Sequence, residues 1–259
     1  MNAPMIVLQG VCKSFDGGRT RAVDDVSLSV DRGGFVALVG GSGSGKTTLL
    51  KTINRLIVPD SGSVWVDGEA VDGLEAHALR RRIGYVFQEV GLFPHLSVGE
   101  NIAITPKLMG MARADRETRA AELLELVSLP RDYAARRPAA LSGGQRQRVG
   151  VARALAATPR IMLMDEPFGA LDPVVRDALG SEYRRLHEQL GLTTLMVTHD
   201  MTEAVLLADR IVVMDHGRLI AEGLPSELLA DERPEVRGLI ETPRRQAERV
   251  RERLEQARG

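Results

Sequence analysis

Short runs of β-branched and apolar residues at 6–11, 26–30 and 35–39 are separated by the turn formers Asp16-Gly17-Gly18 and Asp31-Arg32-Gly33-Gly34, which predicts strands joined by tight connections. Two further runs, at 63–66 and 85–87, follow, the first closed by the turn pair Asp67-Gly68. From about residue 98 to 158 the period lengthens: Ala121, Leu124 and Val127 recur on one face of a charged segment, which predicts helices. After Pro159, strands predicted at 161–164, 194–197 and 211–214 alternate with helices at 174–190 and 201–208. Such alternation calls for a parallel sheet with helices on its faces, so the expected class is α/β, opening β-rich and carrying a helical insertion at about 89–158. Residues 241–259 are dominated by Arg, Glu and Gln with only Val250 and Leu254 as an apolar stripe, which predicts a solvated helix or a frayed end.

With 44% hydrophobic side chains among 259 residues, the chain can bury one sizeable core, or a core with a smaller inserted subdomain. Its longest uncharged apolar stretches, such as 161–164 and 211–214, fall far short of the roughly 20 residues of a membrane-spanning helix. Any membrane association is therefore expected through a partner. Residues 1–10 show no basic leader followed by an apolar stretch, and a cytoplasmic location is the expectation. Cys12, the only cysteine, excludes an internal disulfide, and its place after an apolar run predicts a small buried thiol. A net charge of −1 supplies no overall electrostatic reason to bind nucleic acid, and a local basic patch stays open.

The segment Gly40-Gly41-Ser42-Gly43-Ser44-Gly45-Lys46-Thr47 follows an apolar strand and precedes a helix predicted from Thr48 to Leu56. That is the context of a phosphate-binding loop: glycines let backbone N–H groups face phosphates, and the helix N-terminus adds the positive end of its dipole. Lys46 would reach the β- and γ-phosphates of a nucleotide, and Thr47 would offer its hydroxyl to Mg²⁺. Farther on, the apolar run 161–164 ends in Asp165-Glu166, as expected of a buried parallel strand delivering two carboxylates at its C-terminal edge. Asp165 would hold Mg²⁺, and Glu166 would polarise the attacking water.

Between these elements lies Leu141-Ser142-Gly143-Gly144-Gln145, and here the chain resembles the ATPases of the ABC transporters, whose signature is this pentapeptide. The resemblance runs from about residue 6 to 229. It implies a phosphate-loop NTPase (RecA-like) core with an N-terminal antiparallel β subdomain and an inserted ABC α-helical subdomain, together forming an ATPase domain over 1–240. It also implies that Ser142, Gly143, Gly144 and Gln145 face the phosphate loop of a second copy, sandwiching two ATP molecules in a head-to-tail dimer. Ser142 is equally a good helix N-cap. Phe15 matches the aromatic that stacks on adenine, the alternative being a core aromatic. Val23 and Thr48 complete the implied nucleotide contacts. Gln88 matches the glutamine that touches Mg²⁺ and the attacking water, His199 the histidine that contacts the γ-phosphate, and Asp172 a loop that communicates across the dimer, with a helix cap as its alternative.

More closely, Ile53-Asn54-Arg55-Leu56, the segment from Arg82 to Gln88, Gly91-Leu92-Phe93-Pro94-His95 and the segment from Asp165 to Pro173 look like the ATPases of glycine betaine, choline and related osmoprotectant importers. The implied partners are a transmembrane permease and a separate solute-binding protein, with no nucleic acid, and the implied place is the cytoplasmic face of the membrane. Leu92, Phe93, Pro94 and His95 would line the groove that receives the permease, or belong to ordinary core. Longer members continue into paired regulatory domains, and regulation of that kind is not expected of a chain ending at Gly259. Two other readings remain: an importer ATPase for another small solute, such as an amino acid or polyamine, and a soluble ABC ATPase that remodels nucleic acid or protein complexes.

Overall fold

A computed structural model describes residues 4–239 and residue 253, so all but one position of the predicted charged segment 241–259 lies outside the described residues. The chain runs through β1 (Pro4–Ser14), β2 (Arg21–Asp31), β3 (Phe35–Val39), α1 (Lys46–Ile53), β4 (Ser61–Val66), β5 (Glu69–Ala70), α2 (Ala76–Arg81) and β6 (Ile83–Val86). There follow α3 (Val98–Ile102), α4 (Ile104–Leu108), α5 (Arg113–Leu126) and α6 (Gly143–Leu155). It then alternates β7 (Ile161–Asp165), α7 (Pro173–Leu190), β8 (Thr193–Thr198), α8 (Met201–Leu207), β9 (Arg210–Asp215), β10 (Arg218–Gly223) and α9 (Pro225–Leu229).

One sheet has the order β10-β9-β3-β8-β7-β6, parallel from β9 to β6, with β10 antiparallel at its edge. The other, β2-β1-β4-β5, is antiparallel. Because side chains alternate along a strand, the parallel sheet feeds two cores. Phe35, Ala37, Met162, Met164, Met196, Ile211 and Val213 face the helices, where they join Val98, Leu123, Leu124, Val149 and Tyr183. Val36, Leu38, Ile161, Leu163, Leu195, Val197 and Val212 face the opposite way and meet α1 and the antiparallel sheet through Leu49, Leu50, Ile6 and Leu8. With both faces covered, β3, β7 and β8 are buried along their whole length, which is why they read as unbroken apolar or β-branched runs.

Several local expectations are corrected. The strand expected at 85–87 is Ile83–Val86, paired with β7 from Ile83↔Ile161 to Val86↔Met164. Gly84 is paired with Met162 in that ladder, where a Cβ would stand 2.3 Å from Met162 Sδ and 2.8 Å from the Ala154 carbonyl oxygen, and Phe87 leaves the ladder into solvent. β5, β10, α2 and α9 carry too few apolar residues to have been anticipated. β10 arises from a hairpin in which His216 and Gly217 both take positive φ, 42° and 82°, as a tight antiparallel turn requires. Cys12 is half-buried: the β1 register shifts between Leu8 and Val11, where Gly10 has a φ of 57°, and this extra residue returns Val11 to the core face and turns Cys12 partly outward. Its sulfur accepts the Asp25 N–H at 3.2 Å.

The β1–β4 pairing depends on a close backbone approach at that bulge. Gly62 has a φ of 85°, and a Cβ on it would meet the Gly10 carbonyl oxygen at 2.3 Å. Gly62→Ala is predicted to destabilise the protein by about 2 kcal/mol or more in urea unfolding, from left-handed strain plus a backbone clash. Gly73→Ala, where a Cβ meets nothing within 4 Å, should change stability by less than about 0.5 kcal/mol.

Candidate active site

Three neighbouring parallel strands end together. β3 pairs Val39 with Thr198 of β8, and β7 pairs Asp165 with Val197, so the residues that follow, Gly40, His199 and Glu166, emerge at one sheet edge. The loop after β3 is wedged against its neighbours: a Cβ on Gly40 would stand 2.0 Å from the Met214 carbonyl oxygen, and one on Gly45 2.0 Å from that of Ala22. Only glycine fits either position, whose φ values are 156° and 101°. Lys46 opens α1, and its ammonium donates to the carbonyl oxygens of Gly40 at 2.9 Å and Gly41 at 2.7 Å and to Ser44 Oγ at 3.2 Å. Burial lowers its pKa, while the nearby charges of Glu166 and Asp165 act the other way.

Asp165, only 4% exposed, accepts hydrogen bonds from Thr47 Oγ1 at 2.7 Å and Tyr85 OH at 3.2 Å, and Lys51 Nζ stands 3.9 Å away. Burial first, and then the charge of Asp165, raises the Tyr85 hydroxyl well above its ordinary pKa, so it serves as a donor throughout the physiological range. Glu166 breaks out of the strand with a φ of 44°, and its N–H still donates to the Val197 carbonyl oxygen at 2.9 Å. That turn carries Glu166 Oε2 to 3.2 Å from both Gln88 Nε2 and His199 Nδ1. A residue held at positive φ at the mouth of a cleft is strained, and such strain gathers at functional positions.

The expected site residues fall into groups. Ser42, Gly43, Gly45, Lys46, Thr47, Thr48, Gln88, Glu166 and His199 line a single cleft of about 550 Å³, with Asp165 behind Thr47. Phe15 stands 66% exposed, with Lys13 Nζ 5.6 Å from its ring centre, and so is no core residue. Val23 is fully buried in the core shared with the antiparallel sheet, and its neighbour Ala22 is the residue at the cleft. Ser142, Gly143, Gly144, Gln145 and Asp172 do not line this cleft. Ser142 Oγ accepts the Gln145 N–H at 3.3 Å, and Gln145 Oε1 accepts the Ser142 N–H at 2.9 Å, a reciprocal box that caps α6. Asp172 caps α7 by accepting the Val175 N–H at 3.0 Å.

Tyr85 and Lys51 were missed as site residues, since a tyrosine within a strand and a lysine on a helix carry no signal until β6 and α1 are docked against β7. Glu203, on α8 just beyond His199, lies outside the cleft. It is 8% exposed, its Oε1 has no hydrogen-bond partner, and burial raises its carboxyl to about 7 against a hydrogen bond with Thr198.

The family profile described as ABC transporter matches residues 23–169. The choline transport ATP-binding protein OpuBA of Bacillus subtilis is 48% identical over 225 residues, covering 87% of this chain and 59% of that protein. The glycine betaine uptake system ATP-binding protein YehX of Escherichia coli is 51% identical over 225 residues, covering 87% of this chain and 72% of that one. This chain thus spans about three fifths of the first of these relatives. Among solved structures, a dimeric post-hydrolysis state of an ATP-binding cassette bound to ADP and Pi superposes with a TM-score of 0.76 at 35% identity, covering 85% of this chain and 99% of that one.

Glu203 makes a prediction that leaves the cleft intact. A carboxyl that holds its proton more tightly folded than unfolded favours the folded state most below about 4.5, and that advantage is lost as pH rises through about 7. Glu203→Gln should therefore gain stability relative to wild type by more than about 1 kcal/mol between pH 5 and pH 8, read from denaturant midpoints. A constant difference across that range would refute the assignment.

Proposed function

The chain belongs to the ABC transporter family, and on that premise we propose that it is the ATP-binding and hydrolysing subunit of an importer for glycine betaine, choline or a related osmoprotectant. The observation that carries the chemistry is the meeting of Glu166, Gln88 and His199 at 3.2 Å beside Lys46 and Thr47. The cargo class rests on the likeness to the choline and glycine betaine relatives.

Lys46 and the N–H groups of its loop bind the phosphates, and exposed Phe15 offers a π face to the adenine. Thr47 Oγ1 and Asp165 Oδ1, hard oxygen donors 2.7 Å apart, suit Mg²⁺, which takes only one or two protein oxygens when phosphates supply others. Bound there, Mg²⁺ would neutralise charge on the phosphates as it develops. Tyr85 and Lys51 hold the second oxygen of Asp165 and keep the carboxylate aimed at Thr47. Glu166 accepts the proton of the attacking water, while Gln88 and His199, sharing its Oε2, fix its direction.

The capped start of α6 bears Ser142, Gly143 and Gly144 away from this cleft, where its N–H groups can bind the γ-phosphate held by a second copy. ATP then favours the closed pair and its hydrolysis releases it. No helix among the described residues is long and apolar enough to cross a membrane. Coupling passes to a separate permease on the cytoplasmic side, a reading supported by the likeness to the choline and glycine betaine transport ATP-binding proteins. A groove of about 540 Å³ lined by Arg81, Tyr85, Phe87, Phe93, Leu108 and Arg153 is its seat. Within the expected groove segment Phe93 is exposed, whereas Leu92 packs against the core.

Glu166→Gln is expected to lower ATP turnover at least about 100-fold while ATP affinity stays within about threefold and an ATP-dependent dimer accumulates on size exclusion. Turnover at the wild-type rate would overturn the base assignment. For cargo, ATP-dependent uptake of quaternary amines, amino acids and polyamines into vesicles holding the reconstituted complex should respond to choline or glycine betaine; uptake of neither would remove the osmoprotectant reading.

A further inference from the structure

Arg176 lies on the first turns of α7, four residues after the cap Asp172, where the helix dipole disfavours a cation. Its Nε is buried and has no hydrogen-bond partner, a further cost of its placement. Helix stability therefore does not account for it. Its guanidinium reaches back across the chain: Nη2 donates to the carbonyl oxygens of Gly169 at 3.4 Å and Leu171 at 3.1 Å, and Nη1 pairs with Asp200 Oδ2 at 3.2 Å. Asp200 follows His199 directly. Its N–H donates to Thr198 Oγ1 at 3.0 Å and its Oδ1 accepts the N–H groups of Thr202 and Glu203, so it is itself fixed at the start of α8.

The loop on the other side of the tie packs on the reacting groups. A Cβ on Gly169 would make ordinary contact, at 3.7 Å, with both Glu166 Oε2 and His199 Cε1. Arg176 thus joins the loop that covers Glu166 to the loop that presents His199, and it touches neither group itself. From this geometry we propose that Arg176 is a positioning residue for hydrolysis, clamping the Gly169–Leu171 and His199–Asp200 loops so that Glu166 and His199 keep their mutual 3.2 Å placement. The proposal rests on the ATPase reading above. A planar fork with several donors suits three acceptors in different directions, and lysine, with one compact charge, cannot reach all of them. The guanidinium also lines a cavity of about 300 Å³ between α7 and α8, so an uncharged side chain of similar length is accommodated without overpacking.

The test uses the full chain as wild type, R176M, R176K, D200N and the R176M/D200N double variant, with kcat and KM for MgATP, ATP affinity and thermal midpoint measured for each. Asp200→Asn keeps the oxygen that caps α8 and removes the charge that Arg176 pairs with. R176M and D200N are each expected to lower kcat by roughly 10- to 100-fold, the scale of a small misplacement of reacting groups, with KM and ATP affinity within about threefold. The double variant should be no slower than the worse single, because both remove one tie, and R176K should restore only part of the loss. Wild-type kcat in R176M, full rescue by lysine, losses that multiply in the double variant, or losses that merely track a lowered thermal midpoint would each overturn the role. If the wild-type chain neither binds nor hydrolyses ATP, the functional reading fails and this role with it; if wild type turns over and R176M equals it, only the positioning role fails.

Discussion

The register of three parallel strands is the constraint on which the site depends. Val39 stands opposite Thr198, and Asp165 opposite Val197, so the chain leaves β3, β7 and β8 at one level. A slip of one residue in any of them would exchange its two faces, and a slip between β7 and β8 would part Glu166 from His199. What holds the register is the pair of cores the strands feed. Phe35, fully buried, packs edge-to-face with Tyr183, ring centres 5.9 Å apart, on the helical side, while Val36 and Leu38 pack toward α1 on the other. Side-chain packing across the sheet and the placement of reacting groups at its edge are thus one problem with one solution.

The same constraint explains what was legible beforehand. Strands buried on both faces must be continuously apolar or β-branched, and 35–39, 161–164 and 194–197 were found for that reason. The phosphate loop was legible because Gly40 and Gly45 answer to backbone clashes that no other residue escapes, and Ser142 with Gln145 because a capping box has a fixed spacing. Elements that face solvent had no such signature. β10, with Arg218, Glu222 and Gly223, owes its existence to the turn at His216-Gly217 and to β9 beside it. Cys12 was read wrongly because a bulge changes which side a residue faces, and the pattern of apolar residues does not mark where the extra residue enters.

Around the site, the residues proposed to react are named by motifs, while those that hold them are not. Tyr85, Lys51, Arg176 and Asp200 are ordinary in sequence and acquire meaning only through distances to Asp165, Gly169 and Leu171. Val23 marks the reverse case, a residue expected at the nucleotide whose side chain is taken by the core, leaving Ala22 at the cleft. The two halves of the proposed ATP site are also separated within the chain: Lys46 and Glu166 share a cleft, whereas the capped start of α6 lies outside it. That separation is why the proposed mechanism calls on a second copy to bring Ser142 and its neighbours to the nucleotide.

The proposed mechanism requires the phosphate loop of one chain to meet the signature of another when ATP is bound. A double-cysteine variant, Ser42→Cys with Ser142→Cys in a Cys12→Ser background, places thiols on two exposed positions, one at the loop and one at the start of α6. Oxidative cross-linking followed by denaturing electrophoresis should give a dimer-sized species with ATP and a monomer with ADP. A monomer under ATP, from protein that still binds the nucleotide, would contradict the composite site.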